Sequence, residues 1–380
     1  YLMDQDDLDE EVYEPETAEK ALRNCFPFLL EHTPTLEELS SGQGSLIARV
    51  LHSACVVHFR DGNGLEHIDR RILMAAKTET AGYPGFRDGE EEAFEAELDR
   101  ILFPGDEEAE KFARSFIEPR LAKTESSITR VEWLNYKQAL NGLREFLPLE
   151  WLHTFPEASY STLQSLFDMA AQYGDRQTLQ TLIAKKATTP LALPEIAGEA
   201  NKAEKHRHRF WQLNAFLYLT SPPQSVWDEF KADPDSIFLI EGRLSMLHSG
   251  DHVSTPPISA EKIYQILDAY VDAWPRVPLP SSWGTGSPKE ETAYRFLCDI
   301  VWKIEKDLPD RSLPVVDRLL ADPRFDNFRN SLLTQRASVV RKLALQGFQA
   351  PSTEEVGKLL DNGQVASVED LRALLLEELE

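Results

Sequence analysis

Cysteine is scarce in this chain. Cys25, Cys55 and Cys298 are all there are, and they lie far apart. That excludes a disulfide framework and a cysteine-based zinc site, and free thiols point to a reducing, cytoplasmic setting. Long apolar runs are absent as well. No stretch approaches the roughly 20 residues that span a bilayer, and the amino end, YLMDQDDLDEE, is acidic where a signal peptide is basic. A membrane is therefore not an expected partner. Basic residues are in deficit, 40 against 64 acidic, for a formal net charge of −24. Such a chain repels phosphate backbones unless basic residues gather locally, which disfavours nucleic acid. No run of alternating apolar and polar residues marks a β-strand.

Catalytic signatures are equally sparse, and no cofactor is expected. A phosphate-binding loop needs a lysine after its glycines; Gly42-Gln-Gly44-Ser45 is the nearest match and lacks it. No Gly-x-Ser-x-Gly elbow occurs. His52 and His58 stand six apart, and His206 and His208 two apart, so neither pair shares a helix face as zinc ligands do. Residues 88–110 hold eleven acids against Arg100 alone, without the oxygen-ligand alternation of a calcium loop. They read as a solvated helix face.

What the chain has is amphipathic helices. Residues 159–186 show the unit. Leu163, Leu166, Phe167, Ala170 and Ala171 mark one helix face. Gly174 then stops the helix, as expected of a left-handed turn, and Asp175 caps a second helix carrying Leu179, Leu182 and Ile183. Neither face is buried without another pair to lean on. The fold class expected is all-α, an irregular α-solenoid of antiparallel helix pairs of HEAT or TPR flavour.

Along the chain, 1–16 form an acidic, flexible lead-in with eight acids. Residues 17–274 read as a helical-repeat array. It includes a helix capped at Thr17, another at 45–59 and a long one at 128–147 closed by Pro148. Pro/Gly/Ser-rich residues 275–287 form a loop. Residues 288–380 form a C-terminal helical segment. Its last helix, SVEDLRALLLEELE, carries Leu371, Leu374, Leu375 and Leu379 and has no stop signal, which suggests a piece of a longer polypeptide with neighbouring domains.

Two stretches carry chemistry worth locating. Lys202, Lys205, His206, Arg207, His208 and Arg209, with Phe210 and Trp211 beside them, form a basic patch with aromatics, a candidate for holding a macromolecule. The bland reading is a solvated helix face with its aromatics turned inward. Asp235 and Glu241 bracket an apolar run followed by Arg243, a faint version of the carboxylate pair of a metal-dependent nuclease.

Residues 45–121, ending in FARSFIEPRLA, and residues 260–346, from ILDAYVDAW to PVVDRLLADPRFDNFRNSLLTQRASVVRKLA, resemble the helical region downstream of the nucleotide-binding module in bacterial STAND-type (NACHT-like) NTPases of antiviral defence. The resemblance implies a non-catalytic sensor or scaffold arm that binds a protein ligand. It transfers no functional residue, because neither a Walker lysine nor an effector signature is present.

Overall fold

In the computed structural model the described residues are 15–41, 45–79, 86, 89–123, 128–189, 199–246, 258–276 and 288–346. Every regular element among them is helical. No helix among them is long and apolar enough to cross a membrane. The expectations for residues 1–14, for the loop at 277–287 and for the tail beyond Gln346 lie outside the described residues, as do Gly42 and Gly44.

The first helices are α1 (Pro15–Asn24), α2 (Phe26–Leu29), α3 (Leu36–Ser40), α4 (Leu46–Arg60), α5 (Arg70–Lys77), α6 (Glu90–Leu102) and α7 (Asp106–Leu121). Next come α8 (Trp133–Tyr136), a 3-10 stretch (Gln138–Glu145), α9 (Leu147–Thr154), α10 (Tyr160–Tyr173) and α11 (Arg176–Ala187). The chain continues with α12 (Glu199–Tyr218), α13 (Gln224–Ala232), α14 (Ser236–Met246), α15 (Ala260–Tyr270) and α16 (Lys289–Val301). It closes with α17 (Pro309–Ala321) and α18 (Arg329–Leu345). The helices fall into two units, 1–211 and 212–380. The division lies inside the stretch expected as one array, and each unit is described by itself.

Local signals set many of the helix starts. Thr35 and Glu38 form a reciprocal capping box on α3. Ser45, Ser159, Asp175 and Ser259 each accept from a backbone N–H in the first turn of α4, α10, α11 and α15. Three expectations are corrected. Thr17 lies inside α1, which already starts at Pro15, a residue tolerated in a first turn. The 128–147 helix is broken: extended backbone at Lys137 separates α8 from the 3-10 stretch. Pro148 then opens α9 instead of closing anything, because its missing N–H costs nothing in a first turn.

Gly174 is a fourth correction. Its φ is −82° and its ψ 174°, an extended conformation. Glycine is needed there for space, since a Cβ would sit 2.7 Å from the Ala170 carbonyl oxygen. Left-handed glycines occur elsewhere, at Gly62 and Gly64 in the turn after α4.

In the first unit, α4 packs on α1 and α5, and α5 packs on α6. The short α3 reaches across to α7. Its hold is a buried guanidinium: Arg120 of α7 donates to the carbonyls of Leu39 at 2.8 Å and Ser40 at 3.2 Å, and lies 4.0 Å from the Phe116 ring centre. Those carbonyls end α3 and have no partner within it. Arg70 does the same for α6, donating to Leu102 and Ile101 oxygens at 2.6 and 3.2 Å. In the second unit α13 meets α15, α14 meets α16, and α15 meets both α16 and α17, while α17 packs most closely on its neighbour α18. Here Lys262 of α15 ends α12, donating to Phe216 and Leu217 oxygens at 2.5 and 2.7 Å. Positive side chains therefore close the negative ends of helices distant in sequence.

Candidate functional site

A groove of about 470 Å³ lies on the second unit. Thr292, Arg295, Phe296, Asp299, Ile300 and Lys303 line it, together with Glu241. The first six recur at i, i+3, i+4, i+7, i+8 and i+11, one face of α16 and its extension. Glu241 comes from α14, which packs on α16. The alternation of the sequence sets the character of the groove. Ile300 and Phe296 are buried and supply apolar surface, while Arg295, Lys303, Asp299 and Glu241 supply both signs of charge. Arg295 also pairs with the buried Glu291 one turn back. Burial pushes the Lys303 ammonium below its ordinary value, Lys306 adds to the push, and Asp299 opposes it.

Asp235 and Glu241 do not make a metal pair by their place on the helix. Asp235 precedes α14, and Glu241 stands six residues on, about 9 Å along the axis at 1.5 Å per residue. Asp235 instead holds Lys289, Nζ to Oδ2 2.5 Å, and that ammonium lies 5.5 Å from the Phe238 ring centre. No group of three or more His, Cys, Asp or Glu placed to hold a metal occurs among the described residues. His52 and His58 sit at core edges. His52 is buried, edge-on to Phe94, and His58 stacks on Phe26 with Nε2 3.1 Å from the Arg23 carbonyl oxygen.

The basic stretch lies on α12, with its aromatics turned inward. Phe210 and Trp211 are buried, and Phe210 meets Tyr160 and Phe167 edge-on. Trp211 packs on Phe167 and Phe210, so it offers no face for a base to stack on. Arg207 is paired with Glu157 at 2.5 Å. Lys205 and His206 are exposed, and His208 and Arg209 are half-buried. Of the basic stretch, Lys205 and His206 thus lie open while Arg207, His208 and Arg209 are partly covered; the side chain of Lys202 lies outside the described residues.

Sequence reasoning missed a charged cluster in the first unit. Lys77, wholly buried at the end of α5, contacts Glu95 and Asp99 of α6 at 2.5 Å each. Lys137 adds a second cation on Glu95 at 3.0 Å. The acids stand four apart, hence on one face of α6. That face of the acidic helix is packed inward, not solvated as expected. Burial pushes the Asp99 carboxyl above its usual range by more than Lys77 pulls it down. Burial acts on Glu95 too, but Lys77 and Lys137 together hold it below the usual range. Burial likewise lowers His52, against the pull of Glu95 and Glu79. The cluster ties α5, α6 and the residues after α8 together. Its only sequence signal was the i, i+4 spacing of two acids in a run read as surface.

Set against known protein families, characterised proteins and solved structures, the chain matches none. Its function has to be argued from its own residues.

Proposed function

We infer that this chain is a non-catalytic helical-repeat module that recognises another protein through the groove of α14 and α16. One observation carries the reading. A single face of α16 sets charges of both signs over a floor formed by the buried Phe296 and Ile300, in a concavity of a size that takes a short segment of a ligand. Mixed charge around an apolar strip suits a peptide, whose own side chains alternate in the same way, better than a phosphate backbone, which needs uniform positive charge. The next-but-one packing of α13, α15 and α17 and of α14 and α16 supports an irregular solenoid of HEAT or TPR flavour in the second unit, an architecture that offers extended binding surfaces. The order and flavour of the helices in 45–121 and 260–346 support the further reading that the module is the sensor or scaffold arm of a larger bacterial defence NTPase working in the cytoplasm.

The test is selection of displayed random peptides on the full chain. Peptides that pair apolar with charged residues should be enriched, and Arg295→Glu with Lys303→Glu should lower their affinity at least tenfold. Enrichment untouched by those changes removes the groove from the account. Mg²⁺-dependent cleavage of DNA or RNA that Glu241→Ala abolishes would instead establish a hydrolase. An upstream phosphate-binding loop in the same open reading frame is what the defence reading expects.

A further inference from the structure

Given the peptide groove of α14 and α16, on which this rests, we propose that Lys303 is its anchor for a carboxylate. The partner is then an extended segment with an acidic side chain over Lys303 and a basic one, two residues away, over Asp299. Lys303 lines the groove and is half-buried where α16 gives way to the 3-10 turn Ile304–Lys306. Among the described residues its ammonium joins no ion pair and no side-chain hydrogen bond. The other cation lining the groove, Arg295, is held by Glu291. Lys306, three residues on, adds a like charge, and Asp299, one turn back, attracts without forming a pair. Water is thus partly withheld from an ammonium that has no carboxylate in its place. An incoming anion gains more from such a group than from an exposed lysine, because part of the desolvation has already occurred.

The placing of the charges sets the spacing of the partner. Asp299 is exposed and likewise joins no ion pair among the described residues. It stands four residues before Lys303, on the same face and about 6 Å along α16. Alternate side chains of an extended peptide point the same way and lie about 6.7 Å apart. An acid and a base at i and i+2 therefore meet Lys303 and Asp299 together. The next side chain on that side, at i+4, falls level with Phe296 of the apolar floor. The segment reads acid, base, apolar at alternate positions. A phosphate in place of the carboxylate would set two negative charges beside Asp299 and Glu241 against a single ammonium, which disfavours a phosphorylated partner.

Binding also shows in the titration of Lys303. Burial holds this ammonium below its ordinary 10.5 in the free chain. A partner carboxylate raises it again, so the complex takes up protons and affinity falls as pH rises toward 10. The charges around Lys303 are Lys306, Asp299, Arg295 and Glu241. On α15, which also packs on α16, Lys262 donates to the carbonyls of α12, Glu261 is held by Arg318 and Asp268 by Arg324.

The probe is a peptide with blocked ends carrying glutamate, arginine and leucine at alternate positions, so that it has no titrating amine. On the full chain, replacing its glutamate by glutamine should weaken binding about tenfold. Lys303→Met should do the same, and the two losses should not add. Calorimetry in two buffers should show proton uptake at pH 9.5 and none at pH 7, and none at either pH with Lys303→Met. A glutamine peptide that binds as well as the glutamate peptide, or that loses as much on Lys303→Met as on the parent, overturns the proposal and leaves the groove standing. So does uptake that survives Lys303→Met, or a probe that fails to bind while displayed peptides without an acid are enriched. Enrichment of no displayed peptide at all removes the groove and the anchor together.

Discussion

Lys262→Met sets two opposed effects against each other, and pH separates them. The Lys262 ammonium is buried, and burial pushes it down to about 8 from an ordinary value of 10.5. At 1.36 kcal/mol per unit, holding the charge inside costs about 3 kcal/mol near neutrality. Methionine removes that cost but strands the Phe216 and Leu217 carbonyls, which accept from Nζ at 2.5 and 2.7 Å. Two buried, unsatisfied acceptors cost about 2–4 kcal/mol. At pH 7 the variant should therefore lie within about 1 kcal/mol of the parent. Above pH 8 the folded parent sheds a proton that the unfolded chain keeps until about 10.5, so the unfolded state binds more protons and the parent gains stability as pH rises. The contribution is fully present above the unfolded value and is lost as pH falls through 8. Integrated from pH 7 to 9.5, the gain is about 2 kcal/mol for the parent and none for the variant. Urea unfolding at both pH values, followed by exchange at the end of α12, measures it. A parent and variant with parallel pH dependence would refute the buried, charge-strained lysine.

Three other perturbations follow from the same packing. Lys77→Met leaves Glu95 and Asp99 buried with only Lys137 for company, a loss of about 3 kcal/mol at pH 7 that should shrink toward pH 4 as Asp99, whose carboxyl burial holds above its usual range, takes up a proton first; urea unfolding at the two pH values reads it. Arg120→Met frees α3 from α7 at a cost of about 2–3 kcal/mol, seen as faster exchange confined to residues 36–41, and lysine at this position should not rescue it because it cannot fork to both carbonyls. Gly174→Ala places a methyl 2.7 Å from the Ala170 oxygen and should lower the melting temperature through about 1–3 kcal/mol of overpacking, although its φ is one that alanine adopts freely.

The sequence was a good guide wherever cause and effect lie within a turn of each other. Ser45, Ser159, Asp175 and Ser259 cap the helices their positions announce, and Leu163, Leu166 and Phe167 are buried as their spacing requires. It was a poor guide where the partner is remote. Nothing near Arg120 tells that it closes a helix some 80 residues earlier. Lys77 and Glu95 are 18 residues apart, and a run of acids looks solvated until a buried cation is set against it. The break in 128–147 was hidden because an apolar period of three to four residues fits a 3-10 stretch nearly as well as an α-helix. The groove was half visible. Glu241 was singled out, but for a partnership with Asp235, whereas α16 supplies its actual neighbours.

The most direct check on the recognition reading is an exchange footprint on the full chain, with and without a saturating selected peptide. The account predicts slower exchange along Thr292 to Lys303 and around Glu241, a footprint that vanishes in the Arg295→Glu, Lys303→Glu variant. Protection confined to helices outside α14 and α16 would contradict it.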